Sequence, residues 1–142
     1  MMDMELLKNL VDYGVIVLLL FMSFIAVMLF IERLFFYIKL DVNKYKNKKQ
    51  LDVALTKNLT FIGTIASNSP YIGLLGTVLA IMLTFMNMSE GDIEATKIMS
   101  SLALALKATA VGLVVAIVSM VFYNILSRTA EILESNYENQ EI

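Results

Sequence analysis

Cysteine and histidine are both missing from this 142-residue sequence. Without cysteine there are no disulfides and no thiolate metal sites. Without histidine, a zinc or haem site loses its usual ligands, and acid–base chemistry loses its usual base. No cofactor or metal is expected, and no enzyme, since no nucleophile is paired with a base. Proline occurs once, at Pro70, and glycine six times, which leaves no room for a flexible linker. A basic excess is missing too. The formal net charge is −2, so the electrostatic footprint of nucleic-acid binding is absent and no such partner is expected.

Apolar residues fill the space that charge leaves. They make up 58% of the chain against 17% charged residues, and the mean hydropathy is +0.74, too apolar for a soluble domain of this length. Three stretches reach the roughly 20 helical residues that a bilayer core demands. They run over about 14–38, 71–88 and 98–125. We therefore expect an all-α, three-span integral membrane protein forming one membrane domain over 1–142, with its second and third helices long and extending into the cytoplasm. Asp3, Glu5, Lys8 and Asp12 precede the first span, which lacks the basic leader and cleavage site of a signal peptide and reads as a retained anchor.

Charge predicts the orientation. The segment at about 39–69 carries Lys39, Lys44, Lys46, Lys48, Lys49 and Lys57, whereas the loop 89–97 has Lys97 against Glu90, Asp92 and Glu94. The positive-inside rule puts the lysine-rich segment in the cytoplasm, the N-terminus outside and the tail at about 126–142 inside. Leu51, Leu55, Leu59, Ile62 and Ala66 fall at helical spacing, predicting an amphipathic helix that leads into span two. Pro70 predicts a kink or a helix start at the membrane entry.

Spans two and three each carry a stripe of small and hydroxyl side chains. Gly73, Thr77, Ala80 and Thr84 share one helix face, and Ala105, Thr109, Gly112, Ala116 and Ser119 another. Lipid gives no hydrophobic drive for helix association, so small residues that admit close backbone approach point to helix–helix contact; Pro70 and Gly76 belong to the same set. Thr77 and Thr109 either bond back to their own helices or also face a polar path. Lys107 is the one formal charge deep in a span. It either snorkels outward, toward headgroups or Glu94, or takes part in ion movement or partner contact. It stands about 200° from Thr109 around the helix. Glu32 and Arg33, near the inner end of span one, read as an interfacial anchor, or as an ion pair or partner contact, and Phe35, Phe36 and Tyr37 as an aromatic belt.

Ile31-Glu32-Arg33-Leu34, the run from Ser69-Pro70 to Thr77-Val78, and the run from Ala105 to Ile117 followed by Tyr123-Asn124 together resemble the three spans of the proton-channel family that includes ExbB, TolQ and MotA. The likeness covers most of the chain. Its best match is a short-form ExbB of the TonB energising system. The resemblance implies a homopentamer in the bacterial inner membrane whose second and third helices line a central pore. It implies transmembrane helices of ExbD in that pore, bringing an aspartate close to the threonines matched here by Thr77 and Thr109. Proton passage would then drive work passed through TonB to outer-membrane uptake of iron chelates and vitamin B12. A TolQ-like role in envelope integrity is the near alternative, and a non-conducting membrane scaffold the alternative of another class. Two positions depart from the pattern. Leu104 stands where many relatives have a glutamate, and Val118 where many have a proline, so the third helix should run straighter.

Overall fold

The computed structural model describes residues 4–89 and 94–141. Asp3, Glu90 and Asp92, and the side chain of Glu141, lie outside the description. The chain forms α1 (Met4–Lys39), a short 3-10 turn (Val42–Lys44), α2 (Lys48–Thr56), α3 (Leu59–Met88) and α4 (Ala95–Glu141). The chain is an all-α membrane protein. Three of its helices are long and apolar enough to cross a bilayer. At about 1.5 Å per residue, the 30 residues of α3 and the 47 of α4 give roughly 45 and 70 Å, against a hydrocarbon core of about 30 Å. Both therefore overrun the membrane.

α3 and α4 form an antiparallel hairpin, and α1 lies across it, running parallel to α4. Where the three meet, Leu19 and Ala26 of α1 pack with Ile65 of α3 and Val115 of α4. Phe30 of α1 stacks on Phe122 of α4 with centroids 4.1 Å apart. A second cluster lies at the lysine-rich end. There Leu51 and Leu55 of α2 are fully buried among Tyr37, Leu59, Ile62, Leu126, Ala130 and Tyr137. The outward faces stay apolar and exposed, among them Val17, Leu20, Phe21 and Phe24 on α1 and Val114, Ile117 and Val121 on α4. Water would penalise so continuous a surface, whereas lipid or a second subunit would not.

One expectation about the segment before span two is corrected, and one of the two alternatives for Pro70 is removed. The amphipathic pattern from Leu51 to Ala66 is not one helix. α2 stops at Thr56, and Asn58 takes a left-handed conformation with φ 70°, the turn that asparagine tolerates better than most residues. The apolar stripe persists across the break because both pieces bury the same side against α4. Pro70 does not start a helix, because α3 begins at Leu59 and continues past it. The ring takes away the donor that would bond the Ala66 carbonyl. Hydroxyl and amide side chains in that turn instead bond to neighbouring carbonyls: Ser69 Oγ to Ile65 O at 2.5 Å, and Asn68 Nδ2 to Thr64 O at 2.8 Å.

α2 is capped at both ends. Asn47 Oδ1 accepts from the Gln50 amide at 2.8 Å, and Gln50 Oε1 accepts from the Lys46 amide at 3.1 Å, a reciprocal N-terminal cap. At its C-terminus α1 supplies the donors. Arg33 Nη1 donates to Ala54 O at 2.9 Å, and Tyr37 Oη donates to Leu55 O at 2.6 Å. Arg33 is only 2% exposed. Glu32 holds it through two 2.6 Å contacts, and its guanidinium lies 4.2 Å from the Phe36 ring centroid. Glu32 and Arg33 thus form an ion pair, and Arg33 is an internal strut where an interfacial anchor had been the simpler reading. The aromatic belt is likewise reduced to Phe35, because Tyr37 is buried and Phe36 lies beneath Arg33.

Candidate functional site: the threonine seam between α3 and α4

α3 and α4 approach each other closely at two glycines. A Cβ placed on Gly73 would stand 2.6 Å from the Ala108 carbonyl oxygen and 3.2 Å from Gly112 Cα. A Cβ on Gly112 would stand 2.6 Å from the Ser69 carbonyl oxygen. Only hydrogen fits at either place. Gly76 serves a different contact: a Cβ there would meet Val15 Cγ1 of α1 at 2.9 Å. Ala80 and Ala105 are fully buried, and Ala116 and Ser119 continue the seam at 8% and 1% exposure. Pro70 sits half-buried at its edge.

This approach brings the two threonines together. Thr77 is 5% exposed and Thr109 partly buried, and their hydroxyls share a short hydrogen bond. Thr77 Oγ1 also lies 2.8 Å from Ala105 O across the seam and 3.2 Å from Gly73 O on its own helix. A hydroxyl has one proton and two lone pairs, and both carbonyls only accept. Thr77 therefore donates to a carbonyl and Thr109 donates to Thr77. The result is an ordered chain of donors in the seam, with lone-pair capacity left on Thr109. Thr84, two turns along α3, is buried at 5% exposure and bonds back to Ala80 O at 2.9 Å.

Lys107 is placed away from this seam. It is exposed on α4, and among the described residues it has no ion-pair partner, Glu94 included. Glu32 and Arg33 lie at the lysine-rich end, far along the helices from the threonines. No carboxylate among the described residues touches the threonine pair. The sequence reading missed the capping work of Arg33 and Tyr37. It also took Asp12 only as a charge before span one, whereas Asp12 is half-buried and lines a crevice together with Thr84 and Leu104. The charge of Arg33 within an apolar run was a usable signal for the first. Nothing in the local sequence signals the second, which depends on the register of α1 against α3.

Comparison with known proteins bears on the same elements. The profile described as the MotA/TolQ/ExbB proton channel family matches residues 21–139. The biopolymer transport protein ExbB of Aquifex aeolicus is 55% identical over 126 residues, 88% of this chain and 85% of that protein. The protein of the same name from Helicobacter pylori is 47% identical over 136 residues, 95% of this chain and 94% of that protein. The Tol-Pal system protein TolQ of Haemophilus influenzae is 44% identical over 88 residues, 61% of this chain but 38% of its own length. The match takes in the second half of α1 and all of α2 and α3, as well as nearly the whole of α4, so the chain belongs to the MotA/TolQ/ExbB proton channel family.

Proposed function

We propose that this chain is the ExbB-type subunit of an inner-membrane proton channel. It would use the proton motive force, together with ExbD, to energise TonB-dependent uptake of iron chelates and vitamin B12. The observation that carries this is the buried Thr77–Thr109 hydroxyl pair, fixed by the Gly73–Gly112 approach. Hydroxyls both donate and accept, so the pair can pass or orient a proton without holding charge. It cannot store one, and no carboxylate among the described residues touches it. A partner's membrane aspartate completes the relay, which is the part ExbD would play. Several copies, five by resemblance, would cover the apolar faces of α3 and α4 and enclose that partner. The N-terminus would be periplasmic and the lysine-rich end cytoplasmic.

The extent of the match favours the ExbB-type reading over the TolQ-type one: the ExbB proteins of Aquifex aeolicus and Helicobacter pylori align with 88% and 95% of the chain, the TolQ of Haemophilus influenzae with 61%. A gene deletion complemented with wild type, Thr77→Val or Thr109→Val tests the proposal. Wild type should restore growth on limiting chelated iron, and the two valine variants should not, although they assemble. Detergent sensitivity with normal growth on iron would instead indicate the TolQ-type role. Full rescue by both valine variants would sink the pore role of the threonines, and a deletion with no phenotype on either medium would leave the non-conducting scaffold.

A further inference from the structure

At the end of the molecule that carries the N-terminus, α1, α3 and α4 part to leave a crevice of about 760 Å³. Three apolar helices have no need of the polar walls it shows. Lys8 and Asp12 line it from α1, Thr84 and Asn87 from α3, and Lys97 and Ser101 from α4. The Lys8 ammonium donates to Ser101 Oγ and ties α1 to α4 across it. Its volume far exceeds the roughly 10–15 Å³ that one water needs, and it offers several hydrogen-bonding partners. It holds water.

The crevice descends toward the threonine seam. Three residues past Asp12, Val15 fills the space beside Gly76, so Asp12 stands about 4.5 Å outward of that contact. Glu5 and Glu94 also line the crevice but are exposed at its rim, and Asp12 is the deepest carboxylate in it. Leu104 and the buried Thr84 lie along the wall. Beyond them come Ala80 and Ala105, both fully buried, and then the Ala105 carbonyl that accepts from Thr77. Thr84 and Thr77 share one face of α3 about 10.5 Å apart.

We propose that this crevice is a water-filled outer half-channel within each subunit, with Asp12 as its proton-accepting carboxylate and with Ala80 and Ala105 sealing it from Thr77. The proposal rests on the proton-channel reading and adds to it an entry route formed by one chain. Uptake converts the Asp12 carboxylate and a hydronium into a carboxylic acid and water. Onward transfer restores the carboxylate. The other charged groups facing Asp12 across the crevice are Lys8, Lys97, Glu5 and Glu94. The two lysines keep the carboxylate from standing alone in a narrow space.

The chain has no cysteine, so single-cysteine variants of the full complex give a clean accessibility test. Thr84→Cys, Ser101→Cys, Ala80→Cys and the lipid-facing Phe21→Cys would be exposed in intact membranes to a membrane-impermeant cationic thiosulfonate from the N-terminal side. Thr84→Cys and Ser101→Cys should react many-fold faster than Ala80→Cys and Phe21→Cys. Proton flux through the reconstituted complex should fall several-fold in Asp12→Asn and be retained in Asp12→Glu, with assembly unchanged. Thr84→Cys reacting as slowly as Phe21→Cys would overturn the half-channel. A reactive crevice with undiminished flux in Asp12→Asn, while Thr77→Val loses flux, would overturn the role of Asp12 and leave the channel reading intact. Undiminished flux in Thr77→Val and Thr109→Val as well would take the threonine pair out of the proton path, and no flux through the wild-type complex would remove the channel reading itself.

Discussion

The Ser69 carbonyl oxygen occupies the place where a side chain on Gly112 would begin. Gly112→Ala must therefore push α3 and α4 apart by several tenths of an ångström, a backbone displacement with no flexible atom to absorb it. Overpacking of this kind costs about 1–3 kcal/mol, which should appear as a lower unfolding temperature of the purified protein in detergent. Gly14 is the control. A Cβ there meets nothing within 4 Å, and Gly14→Ala should leave stability unchanged or raise it by roughly 0.5–1 kcal/mol through helix propensity. The threonines separate shape from chemistry. Thr109→Ser keeps the donor to Thr77 and should keep transport, whereas Thr109→Val keeps the volume and should lose it. Growth on limiting chelated iron, with assembly checked by cross-linking, measures both.

Among the elements, α2 shows best how the lysine-rich end is held. This nine-residue helix is too short to persist alone, and α1 satisfies two of its last carbonyls through Arg33 and Tyr37. Arg33→Met keeps much of the apolar stem and removes the donors. A hydrogen bond from a charged group is worth about 1.5–3 kcal/mol, so the variant should release α2 and speed proteolysis within 40–58 without unfolding the spans. Across the same cluster Lys48 pairs with Glu138 of α4. The hydrogen bond to the Glu138 carboxylate, chiefly, raises the Lys48 ammonium above its ordinary value. A raised lysine stabilises the fold fully at neutral pH and stops doing so only as pH climbs through the folded value. The pair is exposed, so the effect is small. Docking of the α4 tail should hardly change around neutral pH and should weaken only in strong alkali, as read by tail proteolysis against pH.

How much of this was legible in the sequence follows from the range of each interaction. The stripes in spans two and three are local patterns at helical spacing, and Gly73, Thr77, Ala105 and Gly112 can be read from them directly. The break at Asn58 was hidden, because Leu55 and Leu59 bury the same side on either side of the turn. A periodicity argument sees only an unbroken stripe. Arg33 and Tyr37 looked like membrane-edge residues because their partners, Ala54 O and Leu55 O, are backbone atoms that no sequence pattern displays. The crevice around Asp12 depends on the tertiary register of three helices.

For the molecule as a whole, the dominant fact is the mismatch between a tight seam and a broad exposed apolar surface. α1 buries little beyond Leu19, Ala26, Arg33 and Tyr37, and much of α4 from Leu104 to Ile125 is bare on its outer side. A lone subunit in lipid tolerates this, but Lys107 on that bare side favours a neighbour or a headgroup that meets its charge. Lys107→Leu should therefore assemble and work nearly normally if headgroups meet the charge, and should assemble but fail if a partner does. Orientation is a property of the same scale. Lys46→Cys should react with an impermeant thiol reagent only after the cytoplasmic side is opened, and Glu94→Cys should react in intact cells. The reverse pattern would invert the assigned topology.

The most direct test of the central claim is proton flux through proteoliposomes that contain the chain assembled with the ExbD-type partner proposed for it. Flux would be followed by an internal pH dye under an imposed gradient, with wild type compared with Thr77→Val and Thr109→Val. The seam predicts that wild type conducts and that each valine variant, equally assembled, conducts several-fold less. Equal conduction by all three would mean that the hydroxyl pair is only a packing contact, and the proton path would have to be sought elsewhere in the assembly.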